Sequence, residues 1–465
     1  MSRAQAMQID PSIFKAYDIR GVVDRTLTPQ GVRAIGRAFG ATAARRGIGR
    51  AVIGRDGRLS GPALAGALAE GLRDAGVDVI DLGRVTTPIV YYATHALGTG
   101  TGVAVTGSHN PPQYNGLKMV IGGEALYGEA IQQLRAEAQG AAAPPAARRG
   151  TLSQADVGTQ YLQRIAGDVK LARPMKVAID CGNGVAGAFA PALFRALGCT
   201  VTELFCEVDG HFPNHHPDPS EPANLADLQR CLRETDAEIG LAFDGDGDRL
   251  GVVTKRGAII YPDRQLMLLA ADVLARHPGA QIIYDVKCSR HLAPWIRRHG
   301  GEPLMWRTGH SLVKAKLRES GAPLAGEMSG HVFFNERWYG FDDGLYAGAR
   351  LLEILSRYAD PGAVLEALPD APATPELQLP TAEGENFALV EALRQRGDFD
   401  DPVEMITIDG VRVEYADGFG LARASNTTPV VVLRFEADTP AALARIQAVF
   451  RREILALAPS AKLPF

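Results

Sequence analysis

The sequence predicts an α/β protein with three related mixed α/β domains and a C-terminal α+β domain. One pattern recurs three times. AVIGRDGRLSG from Ala51, MKVAIDCGNGVAG from Met175 and QIIYDVKCSR from Gln281 are each a short β-branched apolar run, an acidic residue and a polar turn leading into helix-like sequence such as APALFRALG. A strand that feeds a helix through such a turn is a βα unit. The length of 465 residues leaves room for one such unit in each of three domains, with a fourth domain besides. The tail follows a different pattern. After the Pro-rich DAPATPELQLP from Asp370 come strand-like runs joined at Asp-Gly turns, then the helix TPAALARIQAVFRREILAL, which together indicate an antiparallel sheet with helices on one face.

The expected divisions are 1–153, 154–257, 258–369 and 370–465. The first boundary is placed near QGAAAPPAARRG, residues 139–150, a low-complexity stretch that links domains or loops out on the surface. Within the third domain, LMLLAADVLA from Leu266 is broken by Asp272 and reads as an amphipathic helix.

Composition narrows the function. Hydrophobic residues make up 46% and charged residues 22%, an ordinary globular balance with a core large enough to need no metal or disulfide staple. A net charge of −4 argues against general affinity for nucleic acid or anionic membrane but allows a local basic pocket for a phosphate. The five cysteines, Cys181, Cys199, Cys206, Cys231 and Cys288, form no CxxC pair and read as buried thiols of a reducing cytosol. The N-terminal MSRAQAMQIDPSIF lacks the apolar core of a signal peptide, and no apolar run reaches the roughly 18 residues of a membrane span. A cytoplasmic location is therefore expected.

The strongest chemical signal is AFDGDGDR, Ala242 to Arg249. Asp244, Asp246 and Asp248 alternate with glycines, a spacing that lets three carboxylates converge on one hard cation and leaves room for a phosphate. An EF-hand is excluded, because its Gly and Glu positions hold Arg249 and Lys255. Plain Asp-Gly turns remain the bland alternative, against which stand three aspartates and an arginine behind an apolar strand. Arg249 beside such a site suits a phosphate oxygen.

In TGSHNPPQYNG, residues 106–116, Ser108 follows a strand that ends in glycine. It is a turn serine or a hydroxyl that carries a group. Pairing with His109 as nucleophile and base is disfavoured, because adjacent side chains usually point apart and no GxSxG elbow is present. A serine carrying a phosphoryl group needs a nearby cation, which the aspartate loop can hold. GEMSGH places Glu327, Ser329 and His331 on alternate positions, facing one way if extended and suited to sugar hydroxyls; a polar turn is the alternative. RASNTTP, from Arg423, reads as an anion nest for a phosphate or as a turn. DGHFPNHHPDPS, residues 209–220, carries three histidines, but its prolines favour a rigid loop over a zinc site. Neither GxxxxGK nor a GxGxxG behind a strand is present.

TGSHNP, DGDGDR, GEMSGH and RASNTTP, in this order over four successive domains, resemble the α-D-phosphohexomutases, and in particular their bacterial dual-specificity phosphomannomutase/phosphoglucomutase branch. FKAYDIRGVV, GRDGRLSG, DCGNGVAG, DVKCSR and WRTGHSL extend the resemblance over essentially the whole chain. It implies four domains around one central cleft, the fourth able to rotate and close it. By that resemblance the domains are in turn phosphoserine, metal-binding, sugar-binding and phosphate-binding. Ser108 is then the phosphoserine. Asp244, Asp246 and Asp248, with an oxygen of the Ser108 phosphate, hold Mg²⁺. Glu327 and Ser329 bind the 3- and 4-hydroxyls of the sugar. Arg423, Ser425, Asn426 and Thr427 bind the phosphate that does not react. Tyr17, Arg20, Lys118, Arg249, Lys287, His310 and His331 line the cleft, with Lys118 and His331 the candidates for proton transfer. The implied reaction converts hexose 1-phosphate, of mannose and of glucose, to hexose 6-phosphate through a hexose 1,6-bisphosphate, with glucose 1,6-bisphosphate as activator. The implied partners are small hexose phosphates only, and the implied state is a monomer. Phosphoglucosamine mutase is the alternative within the family. A serine-nucleophile, metal-dependent phosphatase and a silent sugar-phosphate binder are the alternatives outside it.

Overall fold

The computed structural model describes residues 9–140 and 146–465. The first eight residues of the N-terminal reading and the centre of the 139–150 run lie outside them. Four sheets follow one another along the chain.

The first three sheets repeat one plan. In the second, parallel strands Lys176–Asp180, Thr200–Leu204 and Ile239–Phe243 are completed by the antiparallel Leu250–Thr254. The third does the same with Gln281–Asp285, Glu302–Trp306, Leu324–Gly326 and the antiparallel Val332–Phe334. In the first, Arg50–Arg55, Asp78–Arg84 and Gly102–Val105 are parallel and Tyr114–Ile121 runs against them. Helices join the parallel strands: Gly61–Asp74, Ala190–Ala196 and Leu292–Arg298 follow the three predicted βα turns.

This repetition positions the chemistry. In each unit one loop joins the last parallel strand to its antiparallel neighbour, and the three loops are 106–113, 244–249 and 327–331. They carry Ser108, the aspartates and Glu327–His331. The fourth sheet is wholly antiparallel: Leu377–Pro380, Val430–Ala437, Gly418–Ala424, Val411–Tyr415 and Glu404–Ile406. Its loop 425–429, between Gly418–Ala424 and Val430–Ala437, holds Ser425 to Thr428. Asp409-Gly410 and Asp417-Gly418 form turns as predicted, and Pro440–Leu457 is the predicted helix. A second helix, Glu385–Arg396, was not read from the sequence; Asn386, Val390 and Leu393 are its buried residues.

Helix Glu129–Gln139 and strand Leu152–Gln154, which pairs with Asp78–Arg84, flank the 139–150 run, so both of its flanks belong to the first sheet unit. Two local expectations change. Helix Pro262–Arg276 has no broad solvent face, because Asp263–Ala270, Val273 and Leu274 are all buried between layers. All five cysteines are free, but Cys206 and Cys231 are only half-buried. Among the described residues, no helix is long and apolar enough to cross a membrane.

The first three units share one continuous core, running from Val52 and Tyr92 through Phe194 and Phe243 to Leu266 and Phe334. Helix Gly344–Leu355 is buried at every residue. The fourth sheet docks differently. Strand Gly418–Ala424 is buried along its whole length, because Ala422 packs under the helices while Phe419 and Leu421 pack on Val286 of the third unit. Arg412, 1% exposed, latches this joint. Its guanidinium lies 3.6 Å from the centre of the Phe419 ring and donates to the carbonyls of Val286 (2.6 Å) and Cys288 (2.7 Å). Replacing Arg412 with Ala strands both carbonyls, so the variant is expected to lose about 2–4 kcal/mol in urea denaturation. A loss under about 1 kcal/mol, the size of an ordinary surface contact, would mean that the latch is not what holds this joint.

Candidate active site

The four loops converge on one cleft of ≈ 500 Å³. Every predicted catalytic and substrate-binding residue lines it: Tyr17, Arg20, Ser108, Lys118, Arg249, Lys287, His310, Glu327, Ser329, His331, Arg423, Ser425, Asn426 and Thr427. Asp244, Asp246 and Asp248 lie beneath Ser108, fully buried.

Ser108 sits at φ 48°. A non-glycine residue holds that left-handed conformation at a cost of about 1–3 kcal/mol, so its surroundings must impose it. They do so through Thr106 Oγ1, which accepts the Ser108 N–H at 2.8 Å and donates to Asp56 at 2.8 Å. The result aims Ser108 Oγ at Asp244 Oδ2, to which it donates at 2.9 Å. It also brings Oγ within 3.2 Å of His109 Nδ1, which corrects the expectation that neighbours point apart. Burial, helped by Arg249 and Arg20, holds the His109 pKa well below its ordinary value. Among the described residues no carboxylate bonds the other ring nitrogen of His109, so no triad forms.

The aspartate loop is a tight turn and not an extended segment. Asp244 Oδ1 accepts the backbone N–H groups of Gly247, Asp248 and Arg249 at 3.1–3.2 Å. Gly245 is required where the two loops meet, since a Cβ there would lie 2.3 Å from the Ser108 carbonyl oxygen. The three carboxylates offer oxygens within 4.8 Å of one another. Two of those buried oxygens, Asp246 Oδ1 and Asp248 Oδ1, have no hydrogen-bond partner. Such a donor set, all oxygen, fits a hard divalent cation. Burial, with the charges of Asp246 and Asp248, raises the Asp244 pKa well above the usual carboxylate range.

Lys118 reaches this group from the first sheet. Its Nζ donates to Asp246 Oδ2 at 2.8 Å and to Asp248 Oδ2 at 2.5 Å. Burial opposes the charged amine, but these carboxylates prevail and raise its pKa. Lys118 therefore stays an ammonium. In the third unit, residues 327–331 form a hairpin turn in which the Glu327 and Gly330 N–H groups bond back to the His331 and Glu327 carbonyls, so the extended arrangement is corrected. His331 lies with Nδ1 3.2 Å from Asp342 Oδ2, and its Nε2 accepts from Arg249 Nε at 3.2 Å on the cleft side. Lys314 bonds the other Asp342 oxygen at 2.7 Å. Asp342 and Lys314 went unread in the sequence; the bridge between Phe333 and Asp342 brings them to His331, and no local motif signals it.

The far side of the cleft is cationic. Lys287 pairs with Glu376 at 2.5 Å and Arg423 with Asp409 at 3.1 Å. Ser425 Oγ accepts the Thr427 and Thr428 N–H groups. Asn426 donates to the Tyr17 hydroxyl, joining the fourth loop to the first unit. Near Ser108, Arg20 bonds Asp18 and Asn110, both at 2.5 Å. The three histidines of 209–220 do not converge. His211 pairs with Asp209, His215 with Asp180, and His216 with the His109 carbonyl.

Family models match all four units: phosphoglucomutase/phosphomannomutase α/β/α domain I over 11–143, domain II over 159–257, domain III over 261–371 and the C-terminal domain over 376–453. The chain belongs to the phosphoglucomutase/phosphomannomutase family. A phosphoglucomutase of Neisseria gonorrhoeae is 59% identical over 96% of this chain and 97% of its own. A phosphomannomutase/phosphoglucomutase of Pseudomonas aeruginosa is 54% identical over the full length of both. The crystal structure of a phosphoglucomutase/phosphomannomutase family protein of Burkholderia thailandensis, 62% identical, superposes with TM-score 0.94 over 98% of this chain and all of that one. The reaction is that of a phosphohexomutase, phosphoryl transfer between the 1- and 6-positions of a hexose phosphate.

Within this family member, Glu327 gives a pH test. It is buried, Oε1 accepts the Gly309 N–H at 2.5 Å and Oε2 has no partner. Burial raises its pKa from 4.5 to about 7. A raised acid pKa means that the folded protein holds the proton more tightly, so stability falls as pH rises from about 4.5 through 7. Glu327→Gln is therefore expected to gain melting temperature relative to wild type between pH 5 and pH 8. Parallel melting curves for the two proteins would show that Glu327 is ionised throughout.

Proposed function

We propose that Ser108 carries the transferred phosphoryl group and that the cleft turns over the 1-phosphates of both glucose and mannose. The supporting observation is Ser108 Oγ held 2.9 Å from Asp244, at the mouth of three buried carboxylates and among Arg20, Lys118 and Arg249. Asp244, Asp246 and Asp248 would hold a divalent cation, with Mg²⁺ the candidate; when bound it supplies positive charge to oxygens of the transferring group.

The side chains then divide the work. His331, with Nδ1 beside Asp342 and Nε2 on the cleft side, takes the proton from the attacking sugar hydroxyl once Arg249, which donates to that Nε2 here, turns to the phosphoryl oxygens. Lys118, held protonated, and Arg249 stabilise charge on the phosphoryl oxygens. Transfer from Ser108 gives a hexose 1,6-bisphosphate, which reorients in the cleft and returns its other phosphoryl group to Ser108. Glucose 1,6-bisphosphate would prime the unphosphorylated serine by the same step. Lys287, Arg423 and the hydroxyls of 425–427 grip the phosphate that does not react. Burial of Ser108, 1% exposed, limits hydrolysis.

Glucose and mannose differ at C2. Glu327 and Ser329 share one hairpin turn on the cleft wall, and a site that reads the 3- and 4-hydroxyls through them is indifferent to C2. The relatives' names, one for glucose and one for both sugars, bracket this reading.

With Mg²⁺ and a trace of glucose 1,6-bisphosphate, wild type is expected to convert glucose 1-phosphate to glucose 6-phosphate without release of free phosphate. Ser108→Ala is expected to form none. Free phosphate would indicate a phosphatase, and kcat/KM values for the two hexose 1-phosphates differing by more than about a thousandfold, or 4 kcal/mol, would end the dual-specificity reading.

Mg²⁺ is expected to raise the melting temperature of wild type and leave that of Asp246→Asn nearly unchanged, since two unpaired carboxylate oxygens wait for a cation in the first and one in the second. Equal shifts in both proteins would place the ion elsewhere.

A further inference from the structure

Arg58 is fully buried, 1% exposed, and none of the reaction steps uses it. All five of its guanidinium N–H donors are spent. Nε donates to Asp56 Oδ2 at 3.2 Å. Nη1 donates to the carbonyls of Pro111 (2.7 Å) and Tyr114 (2.9 Å). Nη2 donates to those of Ser108 (2.7 Å) and Asn110 (2.6 Å). Three backbone carbonyls of the 106–113 loop, one of them that of Ser108, and the carbonyl of Tyr114 at the start of the next strand thus converge on one side chain. Gly107 makes the fit, since a Cβ there would lie 2.4 Å from the guanidinium carbon. Asp56, bonded by Arg58, also accepts from Thr106 and from the Gly107 N–H.

The His-rich loop of the second unit closes over this network. Phe212 lies with its ring 5.2 Å from the Arg58 guanidinium carbon, and His216 Nε2 donates to the His109 carbonyl. We infer that Arg58 and the 209–220 loop form a clamp that fixes the nucleophile loop against the aspartate loop, making Arg58 a positioning residue for phosphoryl transfer. The inference rests on Ser108 being the phosphorylated residue.

The physical case is geometric. Ser108 is held in a left-handed conformation that the chain does not favour by itself. A lysine keeps the charge beside Asp56 but is a point donor that cannot bond four carbonyls in a plane. The loop would then relax, and Ser108 Oγ would move from its place at Asp244. Substrate binding uses other residues and should persist.

The test measures kcat, KM and the rate of Ser108 phosphorylation from glucose 1,6-bisphosphate by intact mass, each per folded molecule, for wild type, Arg58→Lys and His216→Ala. His216 is half-buried and lies outside the Arg58 network, so its variant keeps the test open if Arg58→Lys does not fold. Displacement of a reacting atom by about 1 Å can cost a hundredfold. Arg58→Lys is accordingly expected to lose about tenfold to a hundredfold in kcat and in phosphorylation rate, with KM within about twofold, and His216→Ala to lose less in the same two quantities. A purely structural role would lower the folded fraction and leave kcat per folded molecule unchanged, which would overturn the inference. Wild type that takes up no phosphate on Ser108 would overturn the phosphoserine reading itself, a result distinguishable from a normally phosphorylated Arg58→Lys.

Discussion

The ammonium of Lys118 between Asp246 and Asp248 is the interaction on which the site depends. Three carboxylates at the turn of one buried hairpin repel one another strongly in a medium poorer than water at screening charge. Hydrogen bonds from the backbone absorb part of this at Asp244, and Thr87 bonds Asp246 at 2.5 Å. The remainder needs a positive charge. Lys118 brings it from Tyr114–Ile121 of the first sheet, so the contact that makes the aspartate loop tolerable also ties the first unit to the second. A cation at the orphaned oxygens would add to this charge, and the loop is built to receive one.

The repeated fold explains why the parts meet. Each of three sheets ends its parallel run with one antiparallel strand, and the hairpin loop at that reversal is freed from the helix connections used elsewhere. Three copies of one loop position therefore face a common space and are free to carry different chemistry: the Ser108 hydroxyl, three converging carboxylates, and the Glu327, Ser329 and His331 side chains. The fourth sheet, joined through Arg412 and Phe419, supplies a fourth loop of the same kind.

Much of this was legible in the sequence because the motifs are local. Asp244, Asp246 and Asp248 stand on alternate residues, and Ser108 lies in the short TGSHNP stretch just past its strand, so their chemistry could be read without the fold. What escaped reading depends on pairing across distance. Asp342 reaches His331 only through a bridge to Phe333, and Glu376 reaches Lys287 only when the fourth unit docks. Arg58 stands in a motif that had been quoted as a βα turn, and nothing in GRDGRLSG says that its fork will collect carbonyls from residues 108–114. Alternation left Glu327–His331 open between an extended segment and a polar turn, and the chain makes the turn, with N–H groups that bond back across the hairpin. His109 misled, because the left-handed Ser108 backbone turns two neighbours toward each other.

Three of the cleft's cations share a further property. Arg20 is paired with Asp18, Lys287 with Glu376 and Arg423 with Asp409. On the proposed reading, a substrate phosphate would compete with an internal carboxylate at each of these positions, which would weaken ground-state binding relative to a bare cation. That suits a reaction whose intermediate carries two phosphates and must release both ends to turn around. A site that gripped either phosphate tightly would stabilise the bisphosphate as much as the transition state and gain nothing in rate. Arg249 is differently placed, donating to His331 Nε2 at 3.2 Å and 4.0 Å from Asp244, so it is the cation best able to follow charge that develops on the transferring group. Moderate grip at the ends and strong electrostatics at Ser108 are the division of labour that end-for-end transfer requires.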